Sequence, residues 1–205
     1  MIRAVIFDYG NVISVVDTPR FVSTVARHAR EPVAASEGFD RTRVLLRDYE
    51  TGRMSTETFV PEFLRLAGLE MSHAEFTRAW AGFFTPIPFT RKLLRALHGR
   101  YMLALLSNTN PLHFEHVIKP TEEFRLFSAI TLSYEVGAMK PAAQLYTDML
   151  GKLGLPGEEC MYIDDLKENV EAAAAFGMHA VHFPSAKEAE AELRRLLPDI
   201  DIPSV

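Results

Sequence analysis

The chain has 205 residues, 48% of them hydrophobic, and 22 Lys and Arg stand against 27 Asp and Glu for a net charge of -5. That length suits one domain, or a core with one insertion, and the apolar share is enough for a sizeable core. Both signs of charge are scattered and no basic block occurs, which excludes a nucleic-acid binder; an anionic substrate must be met by local positive groups.

The first element is written in MIRAVIFDYGNVIS. Ala4–Phe7 is a short apolar run of the kind that forms a buried parallel strand. It ends on Asp8, followed closely by Gly10 and Asn11. A charge at the end of a buried strand is costly unless something pairs with it, so Asp8 calls for a metal, a lysine or a substrate. Arg3 interrupts the run and Asp8 ends it, so no signal peptide is expected. No stretch approaches ~20 apolar residues, so no membrane span is expected. The expectation is a soluble, cytoplasmic protein.

Residues 17–84 read differently, as helix after helix without a convincing strand. Ser55 or Thr56 is placed to cap one helix, and Ser72 with Glu75 resembles a capping box. Phe59, Phe63, Phe76 and Trp80 read as the core of this helical part. Thr85-Pro86-Ile87-Pro88 is expected to stop its last helix. Beyond it, apolar runs at 102–106, 129–132, 161–163 and 180–183 read as buried strands. Helical patterns at 91–98, 141–153 and 168–176 precede three of them, the last two ending at Gly154 and Gly177. Cys160, the single cysteine, excludes a disulfide framework and a multi-Cys zinc site, and reads as a buried, inert thiol. AEAELRRLLPD is a final helix ended by Pro198. Alternating strands and helices imply an α/β fold, a doubly wound, Rossmann-like parallel sheet with a helical insertion after the first strand.

In such a sheet, ligands bind outside the C-terminal ends of the strands. Asp8, Ser107 with Asn108, Lys140, and Asp164 with Asp165 all fall at those ends. Singly, each has a bland reading: a strand-end cap, turn residues, a surface lysine, the start of a helix. Together they form a site. Asp8, Asp165 and a backbone carbonyl offer hard oxygen ligands suited to Mg²⁺. A carboxylate beside the metal is placed to attack phosphorus and form an aspartyl-phosphate. Ser107 and the amides after it suit phosphate oxygens, and Lys140 adds a compact positive charge. His113 and His116 read as surface or partly buried residues, and Tyr9 as core. Arg43, Arg47 and Arg53 read as substrate contacts or, equally, as a solvated helix face.

The motifs FDYGNV, LLSN, Lys140-Pro141 and IDD followed by Asn169 stand in the order of the haloacid dehalogenase-like (HAD) hydrolase superfamily, which the chain resembles over nearly its whole length. FDYGNVI, YETGR at 49–53, FFTPIP, LLSNTNP and YIDDLKEN resemble the branch that contains bacterial α-D-glucose-1-phosphate phosphatase. The resemblance implies a core of residues 1–16 and 86–205 and an α-helical cap of residues 17–85. It implies that Asp8 is nucleophile and Mg²⁺ ligand, the Gly10 carbonyl a second ligand and Asp165 a direct third. Asp164 then holds a metal-bound water or Lys140, Ser107 and the Asn108 amide bind phosphate, Lys140 bridges Asp8 and the phosphate, and Asn169 supports the acidic pair.

One position departs from the wider family. Most of its phosphatases carry a second aspartate two positions after the nucleophile, which protonates the leaving alkoxide and then activates water. Here that position is Gly10. General acid–base help contributes about 10²–10⁴-fold, so a cap residue or a water must replace it, or the leaving group must need less help, as the anomeric oxygen of a hexose 1-phosphate does. The leading expectation is a Mg²⁺-dependent phosphatase of a small phosphorylated metabolite, monomeric or homodimeric. The alternatives are a 2-haloacid dehalogenase, whose halide needs no proton, and a catalytically weak phosphometabolite-binding protein.

Overall fold

A computed structural model describes residues 1–30 and 34–204; residues 31–33 of the expected helical insertion lie outside the described residues. Five strands form one parallel sheet: β1 (Ala4–Phe7), β4 (Met102–Ser107), β5 (Ala129–Leu132), β6 (Cys160–Asp164) and β7 (His179–His182). Their order is β5-β4-β1-β6-β7, so β1 is central and the order reverses beside it. Every residue of β1 is buried, as a strand covered on both faces requires. The register aligns Phe7 with Leu105 on one side and with Ile163 on the other. That register brings the residues after Phe7, Leu106 and Ile163 to one edge.

Helices cover both faces. Val5, Phe7, Leu103, Leu105 and Ile163 point to the side of α5 (Pro88–Leu97) and α10 (Ala186–Leu196). Ala4, Ile6, Ala104, Leu106 and Tyr162 point to the side of α8 (Ala143–Leu153) and α9 (Lys167–Ala175). The alternation along each strand divides one buried set between two cores. Cys160 lies in the second, where burial pushes its thiol up to about 11; it is an inert thiol.

Between the first and second core strands run α1 (Thr18–Val25), α2 (Ala34–Glu50), α3 (Thr56–Ala67) and α4 (His73–Ala81). Ser55 caps α3, and Ser72 and Glu75 form a capping box on α4. These helices bury a third core built on aromatic rings: Phe21, Tyr49, Phe59, Phe63, Phe76 and Trp80. The expected stop at Thr85-Pro86 needs correction. Helix α4 ends earlier, at Ala81, with Gly82 as its cap. Thr85 and Pro86 belong to β3 (Phe84–Pro86), which pairs antiparallel with β2 (Ser14–Val16). Three-residue strands carry too little periodicity to be read from sequence. Two shorter helices, α6 (Pro111–His113) and α7 (Ser133–Val136), follow β4 and β5. Among the described residues no helix is long and apolar enough to cross a membrane.

Candidate active site

The chain turns sharply after β1. The Asp8 amide still donates to the Ile163 carbonyl at 2.9 Å, and the amides of Ile13 and Ser14 then fold back onto the Tyr9 carbonyl at 2.9 and 3.0 Å. Asn11 takes φ 53°, a left-handed conformation that asparagine tolerates better than most residues. Its side chain fixes the turn from both ends: Oδ1 accepts from the Val16 amide at 3.1 Å, and Nδ2 donates to Asp165 Oδ2 at 3.0 Å. Gly10 sits inside this turn, bridged to Ser14.

Lys140 enters from the loop after α7. Its Nζ lies 2.7 Å from Asp8 Oδ1, 2.7 Å from Asp164 Oδ2 and 3.0 Å from the Leu106 carbonyl. Those three acceptors match the three ammonium protons, and the side chain is 1% exposed. Burial pushes this ammonium down, the charges of Asp8 and Asp164 outweigh it, and the net shift is upward. Asn108 holds the loop in place. Its Nδ2 donates to the Lys140 carbonyl at 3.1 Å and its Oδ1 accepts from the Lys140 amide at 2.7 Å. The Asn108 side chain is therefore spent on Lys140, which leaves its backbone amide for any ligand. Ser107 Oγ has only a contact of 3.5 Å to the Asn108 carbonyl, at the limit of a hydrogen bond. That buried hydroxyl stays available.

The two adjacent aspartates are held differently. Asp164 is fully buried and accepts from Lys140, the Tyr162 hydroxyl, the Leu166 amide at 2.9 Å, and Asn169 Nδ2 at 3.0 and 3.1 Å. Burial pushes its carboxyl up, but Lys140 and these donors outweigh it and hold it below the usual range. Asp165 is half-buried and accepts from Asn11; burial raises its pKa, with the Asp164 charge adding to the rise. Asp8 is pushed up to about 7 by burial, partly opposed by the Lys140 charge and reinforced by Asp164.

Three carboxylates thus face one ammonium. Asp8, Asp164 and Asp165 each bring one carboxylate oxygen within 4.8 Å of the others. Hard oxygens with uncompensated charge are the donor set of a divalent cation such as Mg²⁺. The expected residues Asp8, Ser107, Asn108, Lys140, Asp164 and Asp165 all meet at this edge, with Asn169 bonded to Asp164 beneath it. Sequence reasoning missed Asn11 and Tyr162. Tyr162 was within reach, since it precedes Asp164 by two residues in a strand and so shares its face.

A second polar cluster lies where the helices α1–α4 meet the sheet edge. Asn110 is fully buried; its Oδ1 accepts from Trp80 Nε1 at 3.3 Å and the His113 amide at 3.0 Å. Its Nδ2 meets His113 Nδ1 at 3.0 Å, and the Glu50 carboxyl lies beside the same amide. The Leu112 amide donates to the Tyr49 hydroxyl at 3.2 Å. His113 is buried, stacks on Trp80 with ring centroids 5.0 Å apart, and is pushed down to about 3 by burial. It is a neutral part of this seam. His116 borders a surface groove, Arg53 pairs with Asp48 at 2.8 Å, and Arg43 lines a cavity between α1 and α2.

A family model described as haloacid dehalogenase-like hydrolase matches residues 2–177. D-ribitol-5-phosphate phosphatase of Bacteroides thetaiotaomicron is 26% identical over 207 residues, which cover 96% of this chain and 99% of that protein. A HAD-like family hydrolase from Porphyromonas gingivalis superposes with a TM-score of 0.81 at 27% identity, over 96% of this chain and 98% of that one. A HAD family enzyme from Bacteroides thetaiotaomicron, solved with magnesium and inorganic phosphate, shares the fold with a TM-score of 0.78 at 24% identity, covering 89% and 94% of the two chains. The chain belongs to the haloacid dehalogenase-like hydrolase family.

Proposed function

We propose that this protein is a Mg²⁺-dependent phosphatase that hydrolyses a small phosphomonoester, a sugar or polyol phosphate, through an aspartyl-phosphate at Asp8. One observation carries the reading. Lys140 is buried between Asp8 and Asp164, and the three neighbouring carboxylates still exceed its single charge. An excess of buried negative charge at a nucleophile suits a metal-assisted attack on a phosphate dianion. It does not suit attack on a haloacid, which needs no cation.

Asp8, Asp165 and the Gly10 carbonyl would hold the metal, and the metal would neutralise phosphate oxygens and orient the ester. The chain's own groups do the rest. Lys140 aims Asp8 and opposes its protonation, and the Ser107 hydroxyl and Asn108 amide take phosphate oxygens. Asn169 and Tyr162 hold Asp164, and Asp164 holds Lys140. Residues 17–85 act as a cap that closes over the organic part and excludes bulk water, on a core of residues 1–16 and 86–205.

A panel of phosphate monoesters, including pentitol and hexitol phosphates and hexose 1-phosphate, tests this. Wild type should release phosphate with Mg²⁺ and stop with chelator, and Asp8→Asn should lose at least about 10⁴-fold. Chloride release from 2-chloropropionate in the presence of chelator would point to dehalogenation instead. Metabolite binding without turnover would leave a binding protein.

A further inference from the structure

Gly10 leaves the leaving oxygen without a proton donor beside the nucleophile. The structure holds another, partly buried carboxyl for which the site described above has no use. Glu50 ends α2, and it lines a cavity of about 470 Å³ whose walls include Val16, Phe21, Trp80, Phe83 and His113.

Two residues of its wall, Val16 and His113, are tied to the loops that carry the site. Val16 is bonded to Asn11, which is bonded to Asp165. His113 is bonded to Asn110, which stands three residues beyond Ser107 on the same loop. Three residues of extended chain span at most about 11 Å, so Asn110 is within the length of a small ester from the phosphate cradle.

The groups beside Glu50 are fixed. Asn110 Oδ1 already accepts two N–H bonds, so its Nδ2 faces His113. His113 Nε2 meets the Trp80 carbonyl at 3.1 Å, which makes Nε2 the protonated nitrogen and Nδ1 an acceptor. Beside this chain of groups, the Glu50 carboxyl lines an aromatic pocket. Docking of the helices does not require it, because Trp80–Asn110 and Tyr49–Leu112 already join the two parts. Burial pushes Glu50 up to about 7, the range in which a carboxyl both gives and takes a proton.

We propose that Glu50, reaching down from the helical part, is the general acid and base that replaces the side chain absent at Gly10. The inference rests on the phosphatase reading. In the first step an Asp8 oxygen forms a bond to phosphorus as the bond from phosphorus to the ester oxygen breaks. That oxygen takes the Glu50 proton and leaves as an alcohol. In the second step the Glu50 carboxylate takes one proton of a water whose oxygen attacks phosphorus. The bond from phosphorus to Asp8 breaks, which releases hydrogen phosphate and restores both side chains.

The test compares wild type, Glu50→Gln, Glu50→Asp and Asp8→Asn on the best alkyl phosphate of the panel and on p-nitrophenyl phosphate, with Mg²⁺. In Glu50→Gln, kcat/KM should fall by about 10²–10⁴-fold on the alkyl ester. On the aryl ester, whose leaving group needs no proton, kcat/KM should stay within about threefold. Its kcat should fall for both esters, because breakdown of the phosphoenzyme is common to them. Glu50→Asp should regain part of the alkyl activity. Equal changes in kcat/KM on both esters, or none on either, overturn the role of Glu50 while Asp8 stays essential. No turnover by wild type, or Asp8→Asn as active as wild type, overturns the phosphatase reading and this inference with it.

Discussion

Asp8 is buried and Glu50 partly buried; desolvation raises both carboxyls to about 7, and they are held by opposite means. Asp8 sits at the core edge with a lysine at 2.7 Å and two more aspartates close by. Glu50 sits at the seam beside the amide of Asn110. The surplus charge around Asp8 is the kind a cation relieves, so metal binding favours its ionised form. Among the described residues no cation lowers Glu50 in the same way, so it keeps its proton near neutrality. One environment suits a nucleophile and the other suits an acid, although burial is the largest cause of both shifts.

Removing the cation at the core edge should have the larger effect on stability. Lys140→Met leaves Asp8 and Asp164 buried without their common partner. A loss of about 3–5 kcal/mol is expected, read by urea unfolding in the absence of metal. A loss under about 1 kcal/mol would mean that these carboxyls are neutral in the folded protein, and the contrast with Glu50 would break.

The seam should show its character in the pH dependence of stability. The folded protein holds the Glu50 proton more tightly than the unfolded chain does. The contribution is therefore complete below pH ~4.5 and is lost as pH rises through about 7. Across that window wild type should lose stability relative to Glu50→Gln by at most about 3 kcal/mol, at 1.36 kcal/mol per pH unit. Parallel unfolding curves from pH 4 to pH 8 would remove the protonated carboxyl from the account.

A smaller effect is expected where the helical part touches the core at Gly52. Its φ is +69°, and a Cβ there would lie 2.1 Å from the Tyr134 carbonyl oxygen. Gly52→Ala should cost about 1–2 kcal/mol from the backbone conformation alone. The collision should also loosen the seam, seen as faster amide exchange at Leu112. Unchanged exchange there would show that this contact does not hold the two parts together.

The two regions also differed in how far the sequence exposed them. Asp8, Ser107 and Asp164 each follow a run of apolar residues, and a parallel sheet brings the ends of such runs together. Local pattern plus one topological rule was enough to place them. Lys140 needed the order of motifs, because a lysine before a proline has no period of its own. Glu50, Asn110, Trp80 and His113 were illegible as a group. Each has an ordinary local role, as helix end, helix cap, core aromatic and, for His113, a surface or partly buried histidine, although the fold buries it. Their chemistry arises from contacts between segments about 30 to 60 residues apart. The β2–β3 pair was hidden for the same reason, since its short strands are joined across four helices.

The most direct measurement is covalent. Wild type and Asp8→Asn, turning over the preferred ester with Mg²⁺, are quenched in acid within milliseconds and reduced with borohydride, and their peptides are sequenced by mass spectrometry. An aspartyl-phosphate at Asp8 should appear as homoserine at position 8 in wild type, more strongly in Glu50→Gln turning over p-nitrophenyl phosphate, and not in Asp8→Asn. Phosphate release with residue 8 unmodified in both wild type and Glu50→Gln would contradict a nucleophilic Asp8.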